Sequence, residues 1–461
     1  MKARVGLAAL VVTLGCKTQP PAPAAAPPRG LPGDLESMAS AARDGRRIPG
    51  LSLVVLQRDD TLLAKAYGFA DEARQVPVSA TTVFQLGSIS KQFLAALVLR
   101  LAERGVLSLD GQVTGYLPEF TRLPPAILVR HLLNHTSGIR EPFMLPEYQA
   151  GIEDLHRSAE EFVVVLRRTP VDFRPGSRWS YSNANYMILA LLVERVTGKP
   201  YEQALADELF RPLGLSSLRP CTPLPQEPGE ARGHVLRDGA VVAAAPENLN
   251  WTRGDGGLCA NALDVARWTR LLASGRVVTP QSYQEMIAPT RLEGGRVADY
   301  GFALSRVPLD GRPKVAHNGA MLGFSASAAY YPDSEHTVVI LTNLGDVRTE
   351  SIERGIARRL LGLPAPDLRE QAVLPLEAKR RFVGQYDIGV FPVSIVERDR
   401  RLWLEMPRPG PTTALRYIGN GEFACESDPD ACRLTFSDGD APAKELRLFM
   451  GAMYWYGARL P

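Results

Sequence analysis

Histidine, cysteine and lysine are all scarce in this 461-residue chain, and each scarcity excludes something. The six histidines are scattered and no Cys-x-x-Cys or His-Glu-x-x-His spacing occurs, so neither a metal site nor a cofactor is read from the sequence. Only eight of the 53 cations are lysine, no run of five or six like charges exists, and the net charge is +3. That leaves no electrostatic footprint for nucleic acid. No apolar run reaches the ~20 residues needed to cross a bilayer. Proline and glycine, at 37 and 40, are too few for a collagen-like or wholly disordered chain. What is present is a globular composition, 45% hydrophobic and 22% charged. At about 150 residues per domain, the length suits roughly three structural units.

The apolar run Val5 to Leu14 follows Lys2 and Arg4 and leads through Gly15 to Cys16, the pattern of an export signal. Thr13-Leu14-Gly15-Cys16 resembles a bacterial lipoprotein processing site in which the cysteine is acylated, although bulky Leu14 stands where a small residue is usual. Lys17 to Pro32 holds six prolines, a composition that stays extended as a tether would. The expectation is an exported, membrane-anchored lipoprotein facing the periplasm or cell surface, lipidated on Cys16, with ordinary secretion as the alternative. An oxidising compartment permits disulfides. Cys221, Cys259, Cys425 and Cys432 are then an even remainder, consistent with two bridges. Glu426 to Ala431 separates the last two as a hairpin end would, so Cys425 and Cys432 are expected to pair; the pairing of Cys221 with Cys259 stays open.

Periodicity predicts a helix over Asp34–Arg46, a hairpin of Leu51–Gln57 with Thr61–Phe69, and a helix over Ser90–Arg104 that is apolar nearly all round and therefore buried. Further helices are read at a Ser158-x-x-Glu161 capping box, over Asn185–Thr197 up to Gly198, over Ala262–Ala273, and over Ser351–Leu361. Strand character marks Val315, Phe324–Tyr331 and Thr337–Thr342. Strands near both ends of this region predict one antiparallel sheet closed by its two termini, with the central helices as a subdomain. After a proline-containing break at Leu363–Lys379, short alternating runs (Val393–Glu397, Arg401–Met406, Arg433–Phe436, Glu445–Met450, Met453–Ala458) predict an all-β sandwich or barrel.

Chemistry concentrates in three short patterns. Ser88-Ile89-Ser90-Lys91 puts a hydroxyl and an amine three residues apart at the start of the buried helix, hence on one face. A serine hydroxyl is a weak nucleophile unless a neighbour accepts its proton, and a lysine in a dry pocket has its pKa lowered enough to help. Alone, Ser-x-x-Lys is a weak signal, equally readable as a capped helix with a surface lysine. Tyr181-Ser182-Asn183, just before a helix, and His317-Asn318-Gly319, at a strand end, would singly be a packed tyrosine, a helix cap and a turn.

The ordered set Ser-x-x-Lys, Tyr-x-Asn, His-x-Gly resembles the serine β-lactamase and penicillin-binding-protein superfamily, in its class C β-lactamase-like branch with DD-peptidases, D-aminopeptidases and esterases. Phe84-Gln85-Leu86-Gly87, Arg130 to Ile139, Gly256-Gly257-Leu258 ahead of Asp264, and Gly323-Phe324-Ser325 resemble it too. The resemblance implies an α+β fold: a β-lactamase-like antiparallel sheet flanked by terminal helices, a helical subdomain, and a C-terminal antiparallel β-barrel. The expected layout is a signal peptide and acylation site at 1–16, a tether at 17–33, the serine hydrolase domain at 34–362, a linker at 363–379 and a lipocalin-like barrel at 380–461.

By the same resemblance Ser88 attacks a carbonyl to form an acyl-enzyme, Lys91 and Tyr181 share proton transfer, and Asn183 binds the substrate amide. The oxyanion is expected between the backbone N–H groups of Ser88 and Ala320, after His317 and Gly319. His131 and His135 fall in a segment the family uses structurally. Where β-lactamases carry Lys-Thr-Gly this chain has His317, largely neutral at its reference pKa of ~6.5 and a poor anchor for a carboxylate. No carboxylate is identified in the role of the class A deacylating Glu. Peptide (D-amino-acid) or ester hydrolysis is therefore expected ahead of β-lactam hydrolysis, with a small peptide, ester or β-lactam as partner and no nucleic acid. The alternative of another class is a tethered penicillin-binding sensor module that is acylated without turnover. The sequence leaves the oligomeric state and the barrel's role open.

Overall fold

The computed structural model describes residues 30–124, 126–223, 229–345, 347–366, 374–389, 391–407, 412–437 and 442–461. The export signal, Cys16 and most of the expected tether lie outside the described residues. Among those described, no helix is long and apolar enough to cross a membrane.

Six antiparallel strands form the central sheet in the order Val315–Met321, Phe324–Tyr331, His336–Thr342, Gly50–Gln57, Asp60–Asp71, Val76–Pro77. Early and late chain meet at its centre, where Leu51 pairs with Thr342 and Gln57 with His336. Side chains alternate between the faces of a strand, and here both faces are covered. Leu51, Leu53 and Val55 pack with Leu35 of helix Leu31–Gly45 and Ile352 and Ile356 of helix Thr349–Leu361. Val54 and Leu56 instead join the larger core with Phe93, Ile188 and Trp268 from the central helices. The first helix starts at Leu31, inside the expected tether, with Pro32 in its opening turn, where a missing N–H leaves nothing unsatisfied. The capping box is formed: Glu161 N–H donates to Ser158 Oγ and Ser158 N–H to Glu161 Oε2.

The C-terminal region closes into an eight-stranded barrel from Gly384–Asp387 to Met453–Arg459, sealed by Tyr386 opposite Arg459. Two of its strands, Gly384–Asp387 and Thr412–Gly419, are not among those read from the sequence. Phe382, Tyr386, Phe423, Leu434, Phe436 and Leu448 fill the interior, making it a packed core. Cys425 and Cys432 bridge adjacent barrel strands with Cα atoms 5.3 Å apart, and Cys221 and Cys259 bridge at 5.1 Å. Both separations suit a disulfide. Arg354 and Arg358 of the last helix of the first region reach Asp430 of the barrel at 2.9 Å, and Ser305 Oγ donates to the Ala452 carbonyl. The barrel is thereby held against helix Thr349–Leu361 and against Ser305, which itself pairs with Ala316 of the edge strand Val315–Met321.

Candidate active site

Ser88 sits on a single 3-10 turn, Gly87–Ile89, that runs directly into helix Ser90–Glu103. The helix is buried along all but its last turn, where Arg100 and Glu103 reach the surface, so Lys91, one turn after Ser88, is entirely buried while Ser88 stays partly open. The Lys91 ammonium finds three acceptors: Ser88 Oγ at 2.9 Å, Asn183 Oδ1 at 2.7 Å and the Asp255 carbonyl at 2.7 Å. Tyr181 Oη lies 2.9 Å from the same Ser88 Oγ. The three motif residues thus form one hydrogen-bonded unit around the serine hydroxyl.

Burial lowers the Lys91 ammonium from its ordinary value, against the opposing charges of Asp255 and Glu141. Burial raises the Tyr181 phenol well above its usual value. Both shifts favour neutral lysine beside neutral tyrosine over an ammonium–phenolate pair. In that state two lysine N–H bonds go to Asn183 and Asp255, and the nitrogen lone pair faces the serine proton. This is the geometry a general base requires.

The edge strand carrying His317 comes unusually close to the nucleophile turn. A Cβ at Gly319 would lie 1.9 Å from the Leu86 carbonyl oxygen and 3.2 Å from Ser88 N, and one at Gly87 would lie 2.6 Å from Ala320 N. Glycine at both places sets the Ala320 and Ser88 backbones side by side, with Ala320 exposed at the mouth.

His317 is fully buried. Its Nδ1 contacts the Asn318 carbonyl, an acceptor, so Nδ1 carries the proton and Nε2 accepts from Tyr300 Oη at 2.9 Å. Burial, with the nearby Lys91 charge, pushes it down to about 3, so the ring is neutral. His135 stacks on Tyr181 with ring centroids 4.2 Å apart and accepts from Ser182 N–H at 3.2 Å. It braces the tyrosine from behind, while His131 caps its own short helix.

Three residues that sequence reasoning missed complete the site. Glu141 is buried and receives Asn183 N–H and Nδ2 at 2.7 and 3.1 Å. Asp255 is buried beside Lys91, its Oδ1 without a hydrogen-bond partner among the described residues. Burial raises both carboxyls, and Lys91 draws both back. From the last barrel strand, Trp455 places its ring 5.6 Å from Tyr181. The signal available for Glu141 was its position just past His135-Thr136-Ser137-Gly138; for Trp455, distant in sequence, there was none. Among the described residues, no group of three or more His, Cys, Asp or Glu is arranged to hold a metal ion.

A mixed helix-and-sheet body with a partly open serine backed by a buried Lys-Tyr pair between its sheet edge and its helical subdomain is a β-lactamase-like architecture. The Beta-lactamase family model matches residues 35–362, and the chain belongs to that family. It is 27% identical over 384 residues to Penicillin-binding protein 4* of Bacillus subtilis (strain 168), covering 77% of this chain and 83% of that one. It is 28% identical over 312 residues to a D-aminopeptidase of Gluconobacter oxydans (strain 621H), covering 67% of this chain and 58% of that protein. In fold it resembles the octameric penicillin-binding protein homologue from Pyrococcus abyssi, with a TM-score of 0.65 at 22% identity over 92% of this chain and 99% of the other.

Proposed function

We propose that the chain is a serine hydrolase that forms an acyl-enzyme on Ser88 and cleaves D-amino-acid peptide or ester bonds. The observation that carries this reading is the pair of 2.9 Å contacts from Lys91 Nζ and Tyr181 Oη to Ser88 Oγ. Ser88 Oγ bonds to the substrate carbonyl carbon as its proton passes to Lys91. The carbonyl electrons move onto oxygen, which accepts hydrogen bonds from the N–H groups of Ser88 and Ala320. Collapse breaks the bond to the leaving amine or alkoxide, which takes the proton from Lys91 by way of Tyr181. Water then hydrolyses the ester and returns the proton to Ser88.

Neutral His317, with both nitrogens engaged, offers no cation for a substrate carboxylate, and Trp455 walls the Tyr181 side. Both features favour small D-amino-acid peptides and esters over cephalosporins. The similarity to a D-aminopeptidase points the same way, and the two disulfides suit the oxidising compartment expected from the export signal. A turnover screen over D-amino-acid amides, a D-Ala-D-Ala peptide, p-nitrophenyl esters and a chromogenic cephalosporin tests the ranking. Faster kcat/KM on the cephalosporin than on every peptide and ester overturns it, and rapid acylation without release by any of them would favour the sensor module.

A further inference from the structure

Lys91 is oriented by Asn183, and Asn183 is oriented by a residue outside all three motifs. We propose that Glu141 is a positioning residue for acylation: its carboxylate decides which end of the Asn183 amide meets Lys91. The inference rests on the serine-hydrolase reading above. An asparagine amide fits its space two ways, differing by exchange of oxygen and nitrogen. With Oδ1 toward Lys91 it accepts a hydrogen bond at 2.7 Å; with Nδ2 there, donor would face donor. The ionised Glu141 carboxylate only accepts, and it takes Nδ2 at 3.1 Å, so the amide oxygen is left pointing at the lysine.

Every contact to Glu141 is consistent with an ionised carboxylate, since Asn183 N–H, Asn183 Nδ2 and Phe143 N–H all donate to it. Asn183 opens helix Asn183–Thr197, and its backbone N–H is one of the donors a helix start leaves free. The preceding Ser182 makes no side-chain cap to the helix; its hydroxyl is turned toward the Arg140 carbonyl, to which it donates at 3.1 Å. Glu141 takes over that role from another segment and in doing so locks backbone and side chain of Asn183 together. In a Glu141→Gln variant one of the two oxygens becomes an NH2 group. Either the helix N–H or the Asn183 amide then faces a donor, and turning the Asn183 amide to relieve the conflict puts its nitrogen against Lys91.

The test is a double-mutant cycle in the full chain, reading the single-turnover rate of Ser88 acylation by a p-nitrophenyl ester, with melting temperature alongside. Glu141→Gln is expected to slow acylation about 100-fold, the cost of a misplaced catalytic group. In an Asn183→Ala background, where the amide is gone, the same substitution should change the rate by no more than about twofold. A residue that only capped the helix would lower the melting temperature equally in both backgrounds and leave the acylation rate alone. Equal rate losses in both backgrounds, or no loss in either, overturn the proposal. If Glu141→Gln does not fold, the same cycle with Glu141→Asp, which keeps the charge but shortens its reach, is judged by the same criterion. An adduct at unchanged rate on Ser88 defeats this inference alone; an adduct elsewhere defeats the serine-hydrolase reading and this inference together.

Discussion

Replacing Gly319 with alanine tests whether the closeness of the edge strand and the nucleophile turn makes the site. Gly319 does not adopt a positive φ, so alanine strains nothing in the backbone, and the whole effect is contact. Its Cβ would lie 1.9 Å from the Leu86 carbonyl oxygen, and restoring a 3.0 Å separation opens the gap by about 1.1 Å. The obstacle is backbone, which cannot turn aside as a side chain would. Overpacking of this kind costs about 1–3 kcal/mol of stability, and a ~1 Å displacement of reacting groups costs about 100-fold in rate. Gly319→Ala should therefore lower kcat/KM on the best p-nitrophenyl ester about 100-fold, while the melting temperature falls by only a few degrees. A variant that keeps its melting temperature and stays within about twofold of the parent in kcat/KM would refute the reasoning, because the strand and turn would then not define the site.

The Tyr181→Phe, Lys91→Ala double variant should lose less rate than the product of the two single losses, since both residues act on the Ser88 proton; rate losses that simply multiply would separate their roles. The pH profile of kcat/KM should fall on the acid side as Lys91 takes up its proton, with a midpoint below the ordinary lysine range because burial lowers it. The Asp255 charge raises Lys91, so Asp255→Asn should move that acid limb to lower pH, and an unmoved limb would disconnect the two groups. Gly355→Ala, in helix Thr349–Leu361 with only Met38 Cε at 3.6 Å, should stabilise by about 0.5–1 kcal/mol in denaturant melts without changing activity. Asp430→Ala, which strips a partner from the buried Arg354 and Arg358, should cost about 3 kcal/mol.

Local pattern made much of this fold legible. Helix Ser90–Glu103 declares its burial by being apolar nearly all round, and strands Phe324–Tyr331 and His336–Thr342 carry β-rich runs bounded by turns. Ser88, Lys91, Tyr181 and Asn183 were readable because their chemistry is confined to three short motifs, and the structure brings them within 2.9 Å of one another in sequential contacts. What pattern does not encode is the meeting of distant segments. Glu141 reaches Asn183 across 42 residues, and Trp455 reaches Tyr181 from a separate barrel. The burial of His317 behind Tyr300 depends on such packing as well, since no motif records what covers a side chain. Cys221 and Cys259, 38 residues apart, were likewise beyond spacing alone, because their strands become neighbours only in the folded sheet.

The central claim is that Ser88 is the nucleophile, and the most direct measurement is the position of a covalent adduct. The intact protein, treated with a fluorophosphonate and digested, should carry the label on the peptide containing Ser88, and Ser88→Ala should abolish it. Label that survives Ser88→Ala unchanged, or that maps to another residue, contradicts the account.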